Sequence, residues 1–352
     1  MRVLVTGHRG YIGSVLTSTL ITMGHDVSGL DAGYYEDCTL GQPHESDTVT
    51  GGWRKDIRDV TRADLAGFDA VMHLAALCND PIGDLNAEWT HEINHRATVR
   101  LAHLAKEAGV SRFIFSSSCS VYGDAGVDDE LTETTTPRPL TPYALSKSRS
   151  EEDIAAMADG SFSPVFLRNG SVYGLSPRLR ADIVLNNLVC WAVTTGRVTM
   201  LTNGSPWRPL VHVDDVVAVF ALMLAAPTET IHNQVFNVGI PGENYQVSRL
   251  AEIVRDAVPG SEIVAVPHAG GDTRDYRVSF DKLCKAFPSF MPRWNVPAGA
   301  VQVRDGVISA GMTLEQFQGP RFTRLARLSQ LIETGGVDAT LRMREVALPV
   351  PP

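Results

Sequence analysis

The segment "VLVTGHRGYIGS" constrains the fold of this chain more than any other, because it joins an apolar strand to a helix through three glycines. Gly7, Gly10 and Gly13 follow the spacing G-x-x-G-x-x-G. Glycines at these positions allow a tight turn and let backbone N–H groups approach a diphosphate at the positive end of the helix dipole. The turn therefore predicts a dinucleotide site beside the first strand of a parallel sheet.

An acidic residue indicates which dinucleotide binds. The second apolar strand, "DVSGLD", ends in Asp31, close to the offset of about 20 residues at which a carboxylate accepts hydrogen bonds from an adenosine ribose. A 2′-phosphate would meet this carboxylate, and the following "AGYY" contains no arginine to neutralise it. The sequence therefore predicts NAD rather than NADP, while three purely structural glycines remain the alternative.

Short apolar strands alternate with helical stretches along the first half of the chain: "RVLVTG", "DVSGLD", "DAVMHLAA", "RFIFSSS" and "SPVFLRN", with "QVFNVG" following later. This alternation is typical of βαβ units. We predict an α/β fold, a Rossmann-type doubly wound parallel sheet with a smaller substrate-binding lobe. We expect residues 1–170 and 211–240 to form the NAD-binding domain, residues 171–210 and 241–298 the substrate lobe, and residues 299–352 a C-terminal tail.

Composition excludes several classes of partner. The 352 residues carry a formal net charge of −9 without a run of Lys or Arg, so we expect neither a nucleic-acid nor a membrane partner. The longest apolar run, residues 216–226, is too short to cross a hydrocarbon core of about 30 Å and predicts a buried helix. Five scattered cysteines and the lack of a signal-peptide pattern favour a cytoplasmic location.

The segment "HEINH", residues 91–95, matches the H-E-x-x-H pattern of zinc hydrolases. In that pattern two histidines bind the metal and the glutamate acts as general base. However, the segment lacks a third ligand at a suitable spacing and directly follows a strand of the predicted sheet. We therefore expect no metal, and interpret the segment as a surface helix whose Asn94 faces the cofactor.

The segment "TPYALSK" places Tyr143 and Lys147 four residues apart, on one face of a helix that begins near Pro142. An ammonium group near a phenol favours the phenolate and lowers the phenol pKa from about 10. The pair thus predicts a tyrosine that acts as a base, although such pairs also occur on solvated helix faces.

Together with the glycine turn, the segment "FSSSCSVYG" resembles the extended short-chain dehydrogenase/reductase family, in particular its NAD-dependent sugar-nucleotide epimerase/dehydratase group and the UDP-galactose 4-epimerases. The resemblance covers residues 2–286. It implies that Ser118 binds the reacting oxygen of the sugar, and that Ser118, Tyr143 and Lys147 are catalytic. Cys119 would then be a packing residue rather than a nucleophile.

The resemblance implies further contacts, residue by residue. Besides the three glycines, Tyr143 and Lys147, the cofactor contacts are Tyr11, Ile12, Asp31, Asp56, Ile57, Leu74, Ala75, Ala76 and Asn94. The substrate contacts are Ser118, Ser120, Tyr143, Asn169, Ser171, Asn187, Leu188, Arg208, Arg274 and Tyr276. For two of them a structural role is the alternative: Arg208 as a surface ion pair and Asn187 as a helix cap.

Three positions depart from the epimerase pattern. Ser171 replaces an asparagine near the sugar phosphate, Asn169 replaces an aromatic residue beside the nicotinamide, and Ala269 replaces a diphosphate arginine. Arg274 or Arg277 would supply the missing charge. These departures leave the base and the sugar undefined.

The resemblance implies an epimerase that acts on a nucleotide-diphosphate sugar, at C4, through a keto intermediate. The alternatives are a keto-sugar reductase that uses the same residues, an NAD-binding sensor without turnover, and a zinc hydrolase. A 4,6-dehydratase is disfavoured because Cys119 and Ser120 stand where those enzymes carry an acidic pair.

The resemblance also implies a homodimer, because helices near residues 89–108 and 143–157 pair into a four-helix bundle in this family. The C-terminal tail lies outside the resemblance. Its arginines, Arg321, Arg324 and Arg327, are expected to lie on a solvated helix face, and its last residues, "LPVPP", to be frayed.

Overall fold

The protein is represented by a computed structural model, which describes residues 1–41, 52–78, 80–123, 130–266 and 274–344. The strands of its central sheet are β1 (Arg2–Thr6), β2 (Asp26–Asp31), β3 (Trp53–Arg54), β4 (Ala70–His73), β5 (Arg112–Ser118), β6 (Ser163–Asn169) and β10 (Gln234–Val238). The remaining strands are β7 (Ser171–Tyr173), β8 (Arg197–Met200), β9 (Trp207–His212), β11 (Asn244–Gln246) and β12 (Glu262–Ala265).

The helices surround these sheets. They are α1 (Tyr11–Thr22), α2 (Asp80–Leu85), α3 (Ala87–Thr90), α4 (Ala97–Glu107), α5 (Pro142–Ala155), α6 (Val184–Thr195), α7 (Val213–Ala225), α8 (Thr228–Ile231), α9 (Val247–Ala257), α10 (Asp281–Ala286), α11 (Val296–Ser309), α12 (Leu314–Gln318) and α13 (Arg324–Glu333). A π-helical segment, His91–Arg96, joins α3 to α4, and 3₁₀ turns cover Ile57–Asp59, Arg62–Leu65 and Cys119–Tyr122.

The central sheet is parallel throughout and has the order β10-β6-β5-β4-β1-β2-β3. The predicted doubly wound fold is confirmed, with each of the six predicted strands in it. Strand β3 was missed, because its two residues "WR" form no apolar run. The smaller sheets have the orders β11-β9-β7 and β12-β8. The division into domains stays a prediction.

Side chains that alternate along the strands of the sheet pack into two hydrophobic cores. Val3 and Val5 of β1 belong to one cluster, which includes residues of α1, α6 and α7, whereas Leu4 belongs to a second cluster beneath α4 and α5. Helix α7 is buried as predicted, and no helix among the described residues is long and apolar enough to span a membrane.

The strand order reverses between β1 and β4, which are neighbours in the sheet: β2 and β3 follow on the side of β1, and β5 and β6 follow on the side of β4. In open α/β sheets, ligands bind at such a point, outside the carboxyl ends of the strands. Gly7 follows β1 at this edge, and Asp31, Ser118 and Asn169 are the last residues of β2, β5 and β6. The fold thus brings residues distant in sequence to one edge.

The C-terminal segment is not a solvated appendage. Leu328 and Leu331 of α13 are buried in the second core cluster. The Nε atom of Arg321 donates to the carbonyl of Thr39 at 2.9 Å, that of Arg327 donates to the carbonyl of Tyr34 at 3.1 Å, and Arg324 is buried. The expectation of a solvated arginine face is therefore wrong, because the loop after β2 provides backbone acceptors for this segment. The predicted frayed end lies outside the described residues.

Candidate active site

One cavity of about 860 Å³ lies at the carboxyl edge of the central sheet and extends toward the small sheets. This volume suits a drug-sized or larger ligand. Most of the predicted site residues line it: Gly7, Gly10, Tyr11, Ile12, Gly13, Asp31, Ile57, Leu74, Ala75, Ala76, Ser118, Tyr143, Lys147, Asn169, Ser171, Asn187, Leu188, Arg208, Arg274 and Tyr276.

The glycine turn at one end of the cavity tolerates no side chain at two positions. Gly7 has a φ of 74°, and a Cβ there would lie 2.8 Å from the backbone nitrogen of Ala75. A Cβ on Gly13 would lie 2.1 Å from the carbonyl oxygen of Gly7. No side chain in the described part of the chain caps the N-terminus of α1, which begins at Tyr11. The turn and the helix N-terminus therefore fit a dinucleotide diphosphate.

Asp31 lies beside this turn. Its Oδ1 accepts from the backbone N–H of Gly33 at 2.8 Å, and its Oδ2 accepts from that of Arg9 at 3.1 Å. The segment "AGYY" after β2 contains no arginine, but two arginines approach from elsewhere: Arg9 and Arg54 form ion pairs with Glu36 at 3.1 and 3.0 Å. Glu36 thereby neutralises charge that would otherwise attract a 2′-phosphate.

Strand β5 delivers the serines and Cys119. The Oγ of Ser118 accepts from the backbone N–H of Ser120 at 3.1 Å, so Ser118 caps the 3₁₀ turn while facing the cavity. Cys119 is buried, its thiol donates to the carbonyl of Arg168 at 3.1 Å, and burial raises its pKa. These contacts agree with a packing role for Cys119.

Ser120 does not face the cavity, contrary to its prediction as a substrate contact. The turn after β5 directs it into the protein, where its hydroxyl is buried and has no hydrogen-bond partner among the described residues.

Helix α5 presents Tyr143 and Lys147 to the cavity. The helix begins at Pro142 and is capped by Thr141, whose Oγ1 accepts from the backbone N–H of Ala144 at 3.2 Å. The Nζ of Lys147 lies 5.8 Å from the ring centroid of Tyr143 and donates to the carbonyl of Ser116 at 2.7 Å. Burial lowers the Lys147 pKa to about 8. The ammonium is thus fixed near the phenol ring by a backbone oxygen of β5.

A buried ion pair supports this arrangement from behind. Glu151, one helical turn after Lys147, lies 2.6 Å from the Nη2 of Arg168 on β6 and accepts from the hydroxyl of Ser117. Arg168 also donates to the hydroxyl of Tyr122 at 3.1 Å. This network was not predicted from the sequence, although an arginine within the apolar strand "SPVFLRN" indicates a buried partner.

Two predicted cofactor contacts, Asn94 and Asp56, lie outside the lining of the cavity. The Oδ1 of Asn94 accepts from the N–H of Leu77 at 2.7 Å and its Nδ2 donates to the carbonyl of Leu77 at 2.9 Å. Asn94 therefore holds the loop after β4 rather than facing the cofactor. The Asp56 carboxylate caps a 3₁₀ turn and pairs with Arg58 at 2.6 Å.

The far end of the cavity is built from residues of the small sheets. Arg208 on β9 is buried and donates to the carbonyls of Trp207, at 2.7 Å, and Arg274. The Nδ2 of Asn187 donates to the carbonyl of Ala181 at 2.9 Å, whereas Ile183 occupies the N-cap of α6. Arg208 is thus not at the surface, and Asn187 lies inside α6 rather than at its cap, so neither alternative position is found.

Asn169 lies between the two ends. Its Nδ2 donates to the Oγ of Ser116 at 3.1 Å and to the carbonyl of Ser117 at 3.2 Å. Its buried Oδ1 has no partner among the described residues, so it offers an acceptor to a ligand. Ala269, the third departure from the epimerase pattern, lies outside the described residues.

The "HEINH" segment forms the π-helical turn. The Nε2 of His95 lies 2.7 Å from the carboxylate of Asp153, and Glu92 pairs with Arg96. Among the described residues, no group of three His, Cys, Asp or Glu side chains is arranged to hold a metal ion. Glu92 and His95 are thus engaged in ion-pair geometry with neighbouring side chains.

Comparison with known proteins identifies the family. The model of the NAD dependent epimerase/dehydratase family matches residues 3–239. A UDP-glucose 4-epimerase of Corynebacterium glutamicum is 28% identical over 301 residues, covering 80% of this chain and 88% of that protein. A dTDP-D-glucose 4,6-dehydratase of Mus musculus is 26% identical over 263 residues, 72% of each chain.

The fold agrees with this assignment. The structure of MoeE5 in complex with UDP-glucose and NAD has a TM-score of 0.75 to this chain and is 28% identical, covering 89% of this chain and all of that one. With the glycine turn and Asp31 suited to a dinucleotide, NAD is the cofactor. The chain therefore belongs to the NAD-dependent epimerase/dehydratase family of enzymes, within the extended short-chain dehydrogenases/reductases.

Proposed function

We propose that this enzyme epimerises a nucleotide-diphosphate sugar at C4 through a keto intermediate, with Ser118, Tyr143 and Lys147 as catalytic residues. The observation that carries the proposal is the position of Lys147. Its buried ammonium is held by the carbonyl of Ser116 near the Tyr143 ring, and both side chains line the cavity that contains the glycine turn. An ammonium placed there favours the phenolate of Tyr143, a base suited to a sugar hydroxyl.

Each catalytic residue has a separate task. Tyr143 takes the proton of the C4 hydroxyl as the ketone forms and returns it when the ketone is reduced. Ser118 holds the reacting oxygen through its hydroxyl, and Lys147 stabilises the phenolate. NAD, when bound, supplies the acceptor and the donor of hydride. Because the keto intermediate is reduced on its other face, the net reaction changes configuration and consumes no cofactor.

The substrate residues that we propose surround the far end of the cavity. Arg208 and Arg274 suit a diphosphate, and Asn187 and Leu188 suit the base. Relatives whose names or titles specify UDP-sugars support a UDP-sugar as substrate. We assign the cofactor to the domain of residues 1–170 and 211–240 and the sugar to the lobe of residues 171–210 and 241–298.

We also propose that the enzyme is a cytoplasmic homodimer that pairs through α4 and α5. A shallow groove between these helices, lined by His95, Val99, His103, Leu104 and Asp153 among others, supports this surface. Light scattering is expected to show a dimer at micromolar concentration.

Dehydration is less well supported, although dehydratases occur among the relatives. Elimination of water needs groups that carry protons beside the reacting sugar. Directly after Ser118 the chain instead has Cys119, whose thiol donates to a backbone carbonyl, and Ser120, whose hydroxyl is buried. Neither residue is part of the cavity lining, and neither carries a carboxylate.

The proposal is tested with UDP-, GDP- and dTDP-hexoses in deuterated water, without added cofactor, with NMR detection of products. Epimerisation at C4 is expected, and the product should retain its C4 hydrogen, because hydride transfer exchanges no hydrogen with solvent. Tyr143→Phe should abolish turnover, while the control Cys119→Ala should retain nearly all of it.

Three outcomes would contradict the proposal. Turnover only with stoichiometric NADH and a keto-sugar would indicate a reductase. Deuterium at a carbon beside the ketone would indicate enolisation. Full activity of Tyr143→Phe would remove the proposed base.

A further inference from the structure

The first residue of α13, Arg324, lies in the wall of the cavity although only 3% of its surface is exposed. Its Nη2 donates to the carbonyl of Arg178 at 2.9 Å, but its buried Nη1 has no hydrogen-bond partner among the described residues. Burial also lowers its pKa. A buried guanidinium with an unsatisfied N–H group is costly unless a ligand completes its contacts.

Tyr35 faces the same part of the cavity. The guanidinium of Arg324 lies over its ring, 4.7 Å from the centroid. The hydroxyl of Tyr35 is buried and has no partner among the described residues, and burial raises its pKa, which keeps it a neutral donor. Arg324 and Tyr35 are therefore stacked side chains of this wall. Each has a hydrogen-bond donor without a partner among the described residues, a cationic one on Arg324 and a neutral one on Tyr35.

The local charge balance favours an anion. Arg180, a second arginine of this wall, lies 2.9 Å from the carboxylate of Asp182, which also accepts from the backbone N–H of Arg324 at 3.4 Å. Asp182 thus pairs with the guanidinium of Arg180, whereas its hydrogen bond from Arg324 comes from the backbone N–H and not from the guanidinium. A ligand that brings negative charge would compensate the second guanidinium.

The wall adjoins the cofactor end of the cavity. Tyr35 follows Asp31 by four residues along the loop after β2. The segment between β7 and Arg178 lies against the first residue of α1, because Ser176 donates to the carbonyl of Tyr11 at 2.7 Å and the Tyr11 hydroxyl donates to the carbonyl of Gly174 at 2.7 Å. A diphosphate held at the glycine turn would therefore bring negative charge to this end of the cavity.

We propose that Arg324 and Tyr35 bind the diphosphate of NAD, so that α13 forms part of the cofactor site. Arg324 would donate through Nη1 and Tyr35 through its hydroxyl to phosphate oxygens that the glycine turn leaves available. The proposal depends on NAD binding alone and is independent of the reaction at C4. Substrate diphosphate is assigned instead to Arg208 and Arg274, on β9 and the segment that follows β12.

The test measures binding of NAD, ADP-ribose and adenosine to the full chain freed of nucleotide, by titration calorimetry. Arg324→Gln should weaken NAD and ADP-ribose by about 10- to 100-fold, the loss expected for a charged hydrogen bond, while adenosine affinity changes less than about twofold. Arg321→Gln is the matched control, because Arg321 precedes the same helix and donates only to backbone carbonyls of the loop after β2 in the contacts described. It should leave all three affinities unchanged.

Thermal unfolding separates a binding role from a structural one. Without NAD, Arg324→Gln should melt at the same temperature as the native chain or higher, because it removes a buried cation that lacks a full set of partners. NAD should raise the melting temperature of Arg324→Gln by less than it raises that of the native chain. The proposal would be contradicted if Arg324→Gln melted at a lower temperature than the native chain without NAD and lost affinity for adenosine by the same factor as for ADP-ribose.

Two further results would overturn it. One is an NAD affinity of Arg324→Gln within twofold of the native value. The other is a loss of UDP affinity with NAD affinity intact, which would place the substrate diphosphate here. If Arg324→Gln does not fold, Tyr35→Phe tests the proposal in its place, since it removes only a hydroxyl. It should weaken ADP-ribose by about 3- to 10-fold but not adenosine, and equal losses would exclude the contact.

Discussion

Lys147 and Arg324 are both buried cations in the wall of one cavity, but the protein satisfies them differently. Lys147 donates to a backbone carbonyl, lies 4.6 Å from the ring centroid of Phe115, and feels the negative charge of Glu151. Arg324 has an N–H group, and Tyr35 beside it a hydroxyl, that find no hydrogen-bond partner among the described residues. The cation beside Tyr143 is thus held in place by the protein itself, whereas the arginine of α13 depends on a ligand.

The difference separates preorganisation from recognition. A general base gains from a neighbour whose position is fixed before the substrate arrives, since geometry then costs nothing during the reaction. Hydrogen-bond donors that remain unsatisfied until the cofactor binds strengthen its binding. The free energy gained when they are satisfied then contributes to the affinity for the cofactor.

The largest effect is expected for the base. Tyr143→Phe removes the proton carrier but keeps the ring beside Lys147, so kcat should fall by about 10²- to 10⁴-fold. NAD affinity should change little by comparison. Steady-state kinetics and NAD titration on the same preparation measure both quantities, and equal losses in the two would make Tyr143 mainly a binding residue.

The next effect concerns the ion pair behind the site. Arg168→Met leaves the carboxylate of Glu151 buried without its cation and should lower the free energy of unfolding by about 3 to 5 kcal/mol. The double variant Arg168→Met with Glu151→Gln removes both charges and should recover much of this loss. Urea unfolding of the native chain and both variants provides the comparison. If the double variant is no more stable than Arg168→Met, an unpaired charge is not the cause.

The sequence predicted much of the fold because its signals are local. Each of the six predicted strands is a short apolar run bounded by turn residues, and the glycine turn joins two of its elements directly. Tyr143 and Lys147 were predicted for the same reason, since helical geometry brings residues four apart onto one face. Their catalytic roles remain predictions.

The misassigned residues are those whose direction depends on more distant contacts. Asn94 lies in a π-helical turn, where helical periodicity does not apply, and bonds the loop after β4. Ser120 turns inward at the end of β5. Arg324 reaches the cavity because α13 returns to the loop after β2, across 293 residues in the contact between Arg327 and Tyr34. No pattern of spacing encodes such a return.

The pH dependence of stability tests the burial of Lys147. Folding lowers its pKa from an ordinary value of about 10.4 to about 8. Between these values the unfolded chain binds more protons than the folded chain, so the free energy of unfolding rises with pH. Relative to Lys147→Met, the native chain should therefore gain about 2 kcal/mol between about pH 7.5 and 9.5.

Urea unfolding at both pH values, with both proteins freed of nucleotide, measures this gain. If the difference in free energy of unfolding between the native chain and Lys147→Met were the same at both pH values, folding would not lower the pKa of Lys147.

The smallest effect is expected at Asp31, whose charge we propose as the cause of a preference for NAD over NADP. Asp31→Asn keeps an acceptor for the N–H of Gly33 but loses the negative charge beside the ribose, so the preference for NAD should fall by about 1 to 2 kcal/mol. Glu36→Gln is the informative companion, because Glu36 holds Arg9 and Arg54 in ion pairs. Its loss should free both guanidinium groups for a 2′-phosphate and raise NADP affinity while NAD affinity stays the same. If Asp31→Asn changed the two affinities equally and Glu36→Gln changed neither, cofactor choice would not depend on charge at this end of the cavity.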